Sequence, residues 1–365
     1  MADDKAQKII VIVGPTASGK SSLAIKIAKK LSARGGPASG RNGAEIISAD
    51  SRQVYRRLDI GTGKVPRDGN PKLKILNSKR IRQAHRPEQV EGQAQNSKSK
   101  TQNKEYYSSG VQHHLIDVAS PKRQFTADDF KKLGEKATKE ILAKNKIPIV
   151  VGGTGFYIDV LLGRMSVAEV PPNKKLRARF DKLAVEHLFK MLKKLDPRRA
   201  KTVESKNKRR LIRALEIVFT TGQPVSKPDH ESGIMNYDTL WIGLKPKNLE
   251  KRIKQRLDKR LQSGMIREVE NLHEQGISWK RLDEFGLEYR WISRYLKDHR
   301  PSTVDYRHFV KSKFYEILLR NIIKYSKRQM TWFKRNPEIR WINPPPGGQK
   351  EAERLVSQFL NFSIS

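Results

Sequence analysis

The chain has 365 residues and no cysteine. Disulfides, thiolate zinc sites and cysteine nucleophiles are therefore excluded. It also lacks any apolar run of about 18 residues, the length a membrane-crossing helix needs. Met1-Ala-Asp-Asp-Lys5 is polar and acidic and does not fit a secretory signal, so a cytoplasmic protein with no membrane association is expected. Aromatic residues make up only 7% and hydrophobic residues 36%. That is low for a globular chain, yet runs such as Ile9–Val13 and Ile147–Val151 can still build a core. No internal repeat is present. Acids are scarce beside bases: 38 Asp and Glu face 75 Lys and Arg, for a net charge of +37. Such a surplus speaks to partners rather than to fold. Nucleic acid is the first candidate and an anionic membrane surface the second.

What is present is organised around short β-branched runs. Lys8-Ile-Ile-Val-Ile-Val13 has the pattern of a parallel strand buried on both faces, and Gly14 ends it. From Ser21 onward, Leu23, Ile27 and Leu31 recur at helical spacing, with Lys26, Lys29 and Lys30 on the outer face. Residues 32–44 are a loop by composition. Glu45–Asp50 predicts a second strand, ending in an acid, and Ile147–Val151 a third, closed by Gly152-Gly-Thr-Gly155. Thr126 with Asp129 approximates a capping box for a helix running to about Asn145. Leu240–Leu244 reads as a return to the sheet. Alternating strands and helices predict an α/β fold with a parallel sheet flanked by helices.

Residues 66–110 are rich in Lys, Arg, Gln, Asn and Ser, and predict an exposed or disordered insertion. Residues 173–222 predict basic helices, with Leu211, Leu215 and Val218 at near-helical spacing. Residues 248–272 predict one long amphipathic helix on Leu249, Ile253, Leu257, Leu261 and Met265. Further helices are predicted at about 287–297 and 306–335, and a short one after Asn343-Pro-Pro-Pro-Gly-Gly348. The expected division is 1–165 as the N-terminal part of the core, 166–236 as an inserted helical basic domain, and 237–365 as the return to the core. A monomer is expected.

Gly14-Pro15-Thr16-Ala17-Ser18-Gly19-Lys20-Ser21 matches the phosphate-loop pattern in full, between a strand and a helix. Its glycines let backbone amides turn toward phosphate oxygens. The helix starting near Lys20 aims its positive end at the same anion. Lys20 adds a full charge, and the Ser21 hydroxyl can complete a magnesium shell. The pattern fits ATP binding and equally any other diphosphate. Asp50 stands where a strand ends, the side on which open α/β sheets bind ligands. It can hold a magnesium-bound water or accept a proton from a substrate amine. His113 and His114 read as packing residues, and Asp117 as structural. Phe156 and Tyr157 could stack on a base, but the start of a helix against the core is the better reading. Lys190, Lys193, Lys194, Arg198, Arg199 and Lys201 form either a solvated face or a phosphate-tracking surface.

Several further blocks follow the phosphate loop in one order: Asp50-Ser-Arg-Gln-Val-Tyr55, Asp59-Ile-Gly-Thr-Gly63, His113-His-Leu-Ile-Asp117 and Gly152-Gly-Thr-Gly-Phe-Tyr157. Arg209-Arg-Leu-Ile-Arg-Ala-Leu-Glu216, Thr221-Gly-Gln-Pro224 and Lys327-Arg-Gln-Met-Thr-Trp332 complete the series. It resembles the tRNA dimethylallyltransferases, also called tRNA isopentenyltransferases, from about residue 8 to about residue 340. The resemblance implies a phosphate-loop sheet flanked by helices with an inserted helical tRNA-binding domain. It implies transfer of a dimethylallyl group from dimethylallyl diphosphate to the exocyclic amine of the adenine 3′ of the anticodon, in the anticodon stem-loop of tRNA. The loop Gly14–Ser21 would then hold the diphosphate, with Lys20 and Ser21 in the catalytic set and Ser21 on magnesium (Mg2+). Asp50 would be the base or hydrogen-bond acceptor for the amine. Asp50, Ser51, Arg52, Gln53 and Thr154 would touch the target base. Arg209, Arg210 and Arg213 would contact tRNA or diphosphate, and Arg328, Gln329 and Trp332 would lie near the nucleic acid. The chain departs from the family in a longer gap between Gly63 and His113. It has Glu288-Tyr289 where Gly-Tyr is frequent, and lacks the cysteines of the zinc finger found in some eukaryotic members. The alternatives are an adenylate isopentenyltransferase acting on free nucleotide, and a nucleoside kinase or ATPase.

Overall fold

Ile9, Ile10, Val11, Ile12 and Val13 are all fully buried, as a β-branched run with both faces covered requires. They lie in strand β1 (Gln7–Val13), the middle of a sheet with β2 (Ala44–Ala49), β3 (Tyr106–Ser108), β4 (Val111–His114), β5 (Ile147–Gly152), β6 (Tyr237–Leu244) and β7 (Arg340–Ile342). The computed structural model describes residues 7–33, 42–69, 105–168, 170–225, 237–299 and 306–361. Among these the strand order is β3-β4-β2-β5-β1-β6-β7, and every neighbouring pair is parallel except β3 with β4. The expected parallel α/β sheet is therefore present. Part of the stretch expected to be an exposed insertion is instead an edge strand: Tyr106 and Ser108 of β3 are buried and pair with His113 and Val111. Residues 70–104 of that stretch lie outside the described residues.

The helices in chain order are α1 (Lys20–Ala33), α2 (Ala127–Ala143), α3 (Gly155–Leu161), α4 (Lys174–Asp181), α5 (Val185–Leu195), α6 (Pro197–Thr202) and α7 (Lys208–Thr221). After β6 come α8 (Leu249–Gln262), α9 (Met265–Glu274), α10 (Trp279–Phe285), α11 (Leu287–Asp298), α12 (Tyr306–Val310), α13 (Lys313–Phe333) and α14 (Gln349–Leu360). Leu23 and Ile27 of α1, and Val356 and Leu360 of α14, share one apolar cluster with Ile10, Ile149 and Ile242 of the sheet. The Thr126 hydroxyl accepts from the Asp129 amide, and the Asp129 carboxylate accepts from the Thr126 amide, a full capping box opening α2. The single helix expected over 248–272 is two helices. Gly264, at φ +94°, takes a left-handed backbone that ends α8 and starts α9. The helix expected over 306–335 also divides, at the extended backbone of Ser312.

The chain forms two compact units, one of residues 1–158 with 236–365 and one of residues 159–235. In the second unit, Phe180, Leu188, Leu192, Leu211 and Leu215 form the core. Glu216 is fully buried there. It accepts two hydrogen bonds from Arg177, both at 2.7 Å, one from Arg213 at 2.6 Å and one from the Asn173 amide at 2.7 Å.

In the first unit, register sets the level at which the chain leaves the sheet. Val13 of β1 and Ala49 of β2 both stand opposite Gly152 of β5. Gly14, Asp50 and Gly153 thus emerge side by side at the carboxyl ends of three neighbouring strands. The loop Asp59–Gly63 is held over this end from outside. The Glu268 carboxylate of α9 accepts from the amides of Asp59 at 2.9 Å, Ile60 at 2.6 Å and Gly61 at 3.0 Å, and from the Tyr289 hydroxyl at 2.8 Å. Lys64, next in the chain, is buried and donates to the Tyr55 carbonyl and to the carboxylates of Asp59 and Asp117.

At the other end of β2, Glu45 is buried and bonds His114 Nε2 and Lys146 Nζ, each at 2.7 Å, and Lys144 Nζ at 3.3 Å. Burial by itself would raise this carboxyl, but the hydrogen bonds from His114 and Lys146 outweigh it and hold the group at about 2, against an ordinary 4.5. A depressed carboxyl stabilises the fold fully above its unfolded value and loses that contribution as pH falls through the folded one. Stability should therefore drop between pH 4.5 and about 2. Glu45→Gln should flatten this limb in chemical denaturation followed across pH, and an unchanged slope would refute the assignment. Glu268→Ala orphans three amides and should cost about 2–4 kcal/mol. The denaturation midpoint should fall, and amide exchange should quicken at Asp59, Ile60 and Gly61.

Candidate active site

The phosphate loop closes tightly on itself. Its Ser18 amide donates to the Pro15 carbonyl at 3.3 Å, and Lys20 Nζ donates to the same carbonyl at 3.0 Å. Gly19, at φ +89°, supplies the left-handed turn that starts α1. Two side chains from later elements tie the loop down. Gln329 Oε1 of α13 accepts from the Thr16 amide at 2.9 Å, and Arg252 Nε of α8 donates to the Ala17 carbonyl at 3.0 Å.

A small cavity of about 70 Å³ opens beside the loop, lined among others by Thr16, Lys20, Ser21, Asp50, Gln53 and Arg256. Burial lowers the Lys20 ammonium to about 8, with the Arg256 charge adding to the shift and Asp50 opposing it. Burial also lowers Arg256 to about 10, helped by Arg260 and opposed by Glu288 and Asp50. Both half-buried cations line the same cavity, and an anion placed between them would raise each back toward its ordinary value. Neither the Ser21 hydroxyl nor the second Asp50 oxygen has a hydrogen bond among the described residues. No group of three or more His, Asp or Glu among the described residues could hold a metal ion unaided.

A larger cavity of about 280 Å³ shares Thr16, Asp50, Thr62 and Tyr325 with the first. Ser51, Arg52, Arg260, Glu288, Trp291 and Arg328 are among its other linings. Asp50 therefore stands in the wall of both. Its Oδ1 accepts from the amides of Arg52 at 2.8 Å and Gln53 at 3.3 Å, which fixes the carboxylate and leaves Oδ2 for the cavities. Tyr325 is pushed up to about 12 by burial, then by the Asp50 charge, so its phenol keeps its proton. Thr154 lies beside Tyr325, and its hydroxyl accepts from the Ser51 amide at 3.2 Å.

The sequence-predicted residues thus fall into three groups. Gly14–Ser21, Asp50–Gln53, Thr154 and Arg328 converge around the two cavities. Gln329, which also lines the small cavity, and Trp332 have internal tasks. Gln329 Nε2 donates to the Gly153 carbonyl at 2.8 Å, and Trp332 packs where a side chain at Gly155 would come within 2.2 Å of its ring. Arg209, Arg210 and Arg213 belong to the second unit. Arg209 is exposed and Arg210 pairs with Glu204 at 3.1 Å. Arg213, expected to contact tRNA or diphosphate, has a side chain one-third exposed at 33%. Its guanidinium serves Glu216 and the carbonyls of Ala168 and Val170, because a fully buried carboxylate at i+3 needs a cation.

Sequence reasoning missed Arg252, Arg256 and Arg260. Their signal was a stripe of arginines in steps of four along α8. Each donates to a loop carbonyl: Arg252 to Ala17, Arg256 to Gly63 at 3.3 Å, and Arg260 to Gly61 at 2.6 Å. Tyr325 was missed because its neighbours, not its spacing, make it part of the site.

The chain matches the family model described as IPP transferase over residues 97–336. It is 34% identical to the tRNA dimethylallyltransferase of Acetivibrio thermocellus over 98% of each chain. It is 33% identical to that of Carboxydothermus hydrogenoformans over 97% of each. Among solved structures it resembles the tRNA isopentenylpyrophosphate transferase of Bacillus halodurans, with a TM-score of 0.60 and 27% identity over 97% of each chain. A eukaryotic dimethylallyltransferase acting on tRNA shares the fold, at a TM-score of 0.69 and 23% identity, covering 99% of this chain and 81% of that one. Because the family match spans most of the sequence and the relatives run its whole length, the chain belongs to the IPP transferase family.

Proposed function

We propose that the chain transfers a dimethylallyl group from dimethylallyl diphosphate to the exocyclic amine of the adenine 3′ of the anticodon in tRNA, releasing diphosphate. The observation that carries this reading is Asp50, standing in the wall of both a cationic phosphate cavity and a larger cavity beside it. The name shared by the full-length relatives, tRNA dimethylallyltransferase, supports a dimethylallyl group as what is transferred and tRNA as what receives it. A net charge of +37 suits a polyanionic partner.

In this reading the small cavity holds the diphosphate, with Lys20 and Arg256 against its oxygens. The free Ser21 hydroxyl is a hard oxygen donor that suits magnesium, which keeps most of its other positions for water and phosphate. Magnesium, when bound, supplies further positive charge against the departing diphosphate. The target adenine enters through the larger cavity. Asp50 Oδ2 accepts the hydrogen bond of its amine. The amine nitrogen bonds to the first carbon of the allyl group as the carbon–oxygen bond breaks, and the electron pair leaves on the diphosphate. Asp50 takes the amine proton. Charge grows on the diphosphate where Lys20 and Arg256 already point, which is how preorganised groups lower a barrier. An unpaired anticodon-loop base enters such a pocket at a cost of only a few kcal/mol.

The deciding experiment supplies magnesium, labelled dimethylallyl diphosphate and either an anticodon stem-loop or adenosine monophosphate. Label in the stem-loop is expected, and its loss when the target adenine becomes guanine. Label in the free nucleotide alone would favour a nucleotide-prenylating enzyme, and ATP turnover a kinase. Asp50→Asn should keep stem-loop affinity and lower turnover about 100- to 10,000-fold. Turnover within about threefold of the parent would remove Asp50 from the proton-transfer role. Since Lys20 loses its proton near pH 8, affinity for a thiodiphosphate analogue should fall as pH rises through about 8. Lys20→Ala should abolish that dependence in titration calorimetry.

A further inference from the structure

Below the phosphate loop the small cavity continues as a well along one face of the sheet. Alternate residues of a strand share a face, and register carries that pattern across strands. Ser48 of β2 stands opposite Val151 of β5, and Ile46, two residues earlier in β2, stands opposite His113 of β4. All four line the cavity, as does Ala24 of α1, one turn beyond Lys20 and Ser21. The lining therefore changes with depth. Lys20, Ser21 and Asp50 form the mouth, and Ala24, Ile46 and His113 form the far end. The step from Ser48 to Ile46 alone takes the well about 7 Å down the strand.

His113 closes that end as a fixed wall. It is only 6% exposed. Its Nδ1 lies 2.9 Å from the Val111 carbonyl, which only accepts, so Nδ1 carries the proton and the bond holds the ring in place. Burial lowers the imidazole from its ordinary value, so a neutral ring faces the well. Behind it, Tyr106 of β3 stands opposite His113 in register, with the two rings edge to face at 6.2 Å. The Tyr106 hydroxyl donates to the carbonyl of Val65, another lining residue, at 2.6 Å. A cavity of about 70 Å³ has room for roughly five to seven waters. With the diphosphate at the mouth, a five-carbon tail takes up that room and a ten-carbon tail exceeds it. Asp50 stands at the mouth, so the first carbon of the chain stays beside the amine while the tail descends. We propose that His113 is a specificity residue that sets the length of the allylic chain, ending the well so that it accepts a five-carbon tail and rejects a ten-carbon one. This rests on the allylic diphosphate reading above.

The test is titration calorimetry on the full-length protein with magnesium. The probes are unreactive thiodiphosphates carrying a dimethylallyl or a geranyl chain, and inorganic diphosphate, which reads the mouth alone. The wild type should bind the dimethylallyl analogue about tenfold or more tightly than the geranyl one. His113→Ala removes the end wall and should narrow that gap by about tenfold. Ala24→Val fills the well from the helix side and should weaken the dimethylallyl analogue about tenfold. Both variants should bind inorganic diphosphate as the wild type does. Equal affinity of the wild type for the two chains would overturn the proposal, as would an unchanged gap in His113→Ala. If that variant does not fold, Ala24→Val decides, and an undiminished affinity for the dimethylallyl analogue would overturn the proposal. Equal losses for inorganic diphosphate and both analogues would reduce His113 and Ala24 to supports of the phosphate loop, again overturning it. A wild type that binds inorganic diphosphate and neither analogue would instead refute the allylic donor reading itself.

Discussion

The parallel pairing of β5 with β1 on one side and β2 on the other is the constraint on which the site depends. Because Val13 and Ala49 both face Gly152, the phosphate loop, Asp50 and the Gly153–Thr154 turn leave the sheet at one level. Two strands away they could not share a cavity. The crowding that follows explains the small residues at this end. A side chain at Gly152 would come within 2.0 Å of the Ala49 carbonyl, and one at Gly153 within 2.2 Å of Gln329. The Gly-Gly-Thr-Gly sequence is thus the price of bringing three strand ends and α13 together.

Acids are few in this chain, and many of those that are buried or half-buried hold backbone or cations in place. Glu268 gathers three successive amides, Glu216 organises the second unit, and Asp50 fixes its own turn before it meets any ligand. Arginines complete the arrangement from the opposite direction, since the α8 stripe donates to the carbonyls of the same loops. Loops that would otherwise sample many conformations are clamped by charged groups at both their donors and their acceptors. Such clamping limits reorganisation when charge develops, which is the requirement of electrostatic catalysis.

Much of this was legible in the sequence where a local pattern carried it. The β-branched runs of β1, β2, β5 and β6 announce buried parallel strands, and the phosphate loop lies between strand and helix as its pattern requires. Legibility ended where local and tertiary signals diverged. The apolar step from Leu261 to Met265 continues across Gly264, so periodicity alone joins two helices that the left-handed glycine separates. The α8 arginines were hidden by a general excess of basic residues. Nothing local shows that Glu216, three residues after Arg213, is fully buried and accepts from it. Tyr106 and Ser108 lie in a polar stretch whose composition masks a three-residue strand.

The bond between the Thr16 amide and Gln329 spans 313 residues, and that between Ala17 and Arg252 spans 235. The phosphate loop therefore leaves the ribosome well before the groups that tie it down. Its strand β1 also waits for β6, which follows the whole second unit. A nascent chain carries the loop without its braces until those later residues are made. Contacts this distant in sequence slow folding through the entropy of closing large loops. The site is consequently a late product of assembly, so a truncated translation product holds the full phosphate-binding motif without the structure that makes it competent.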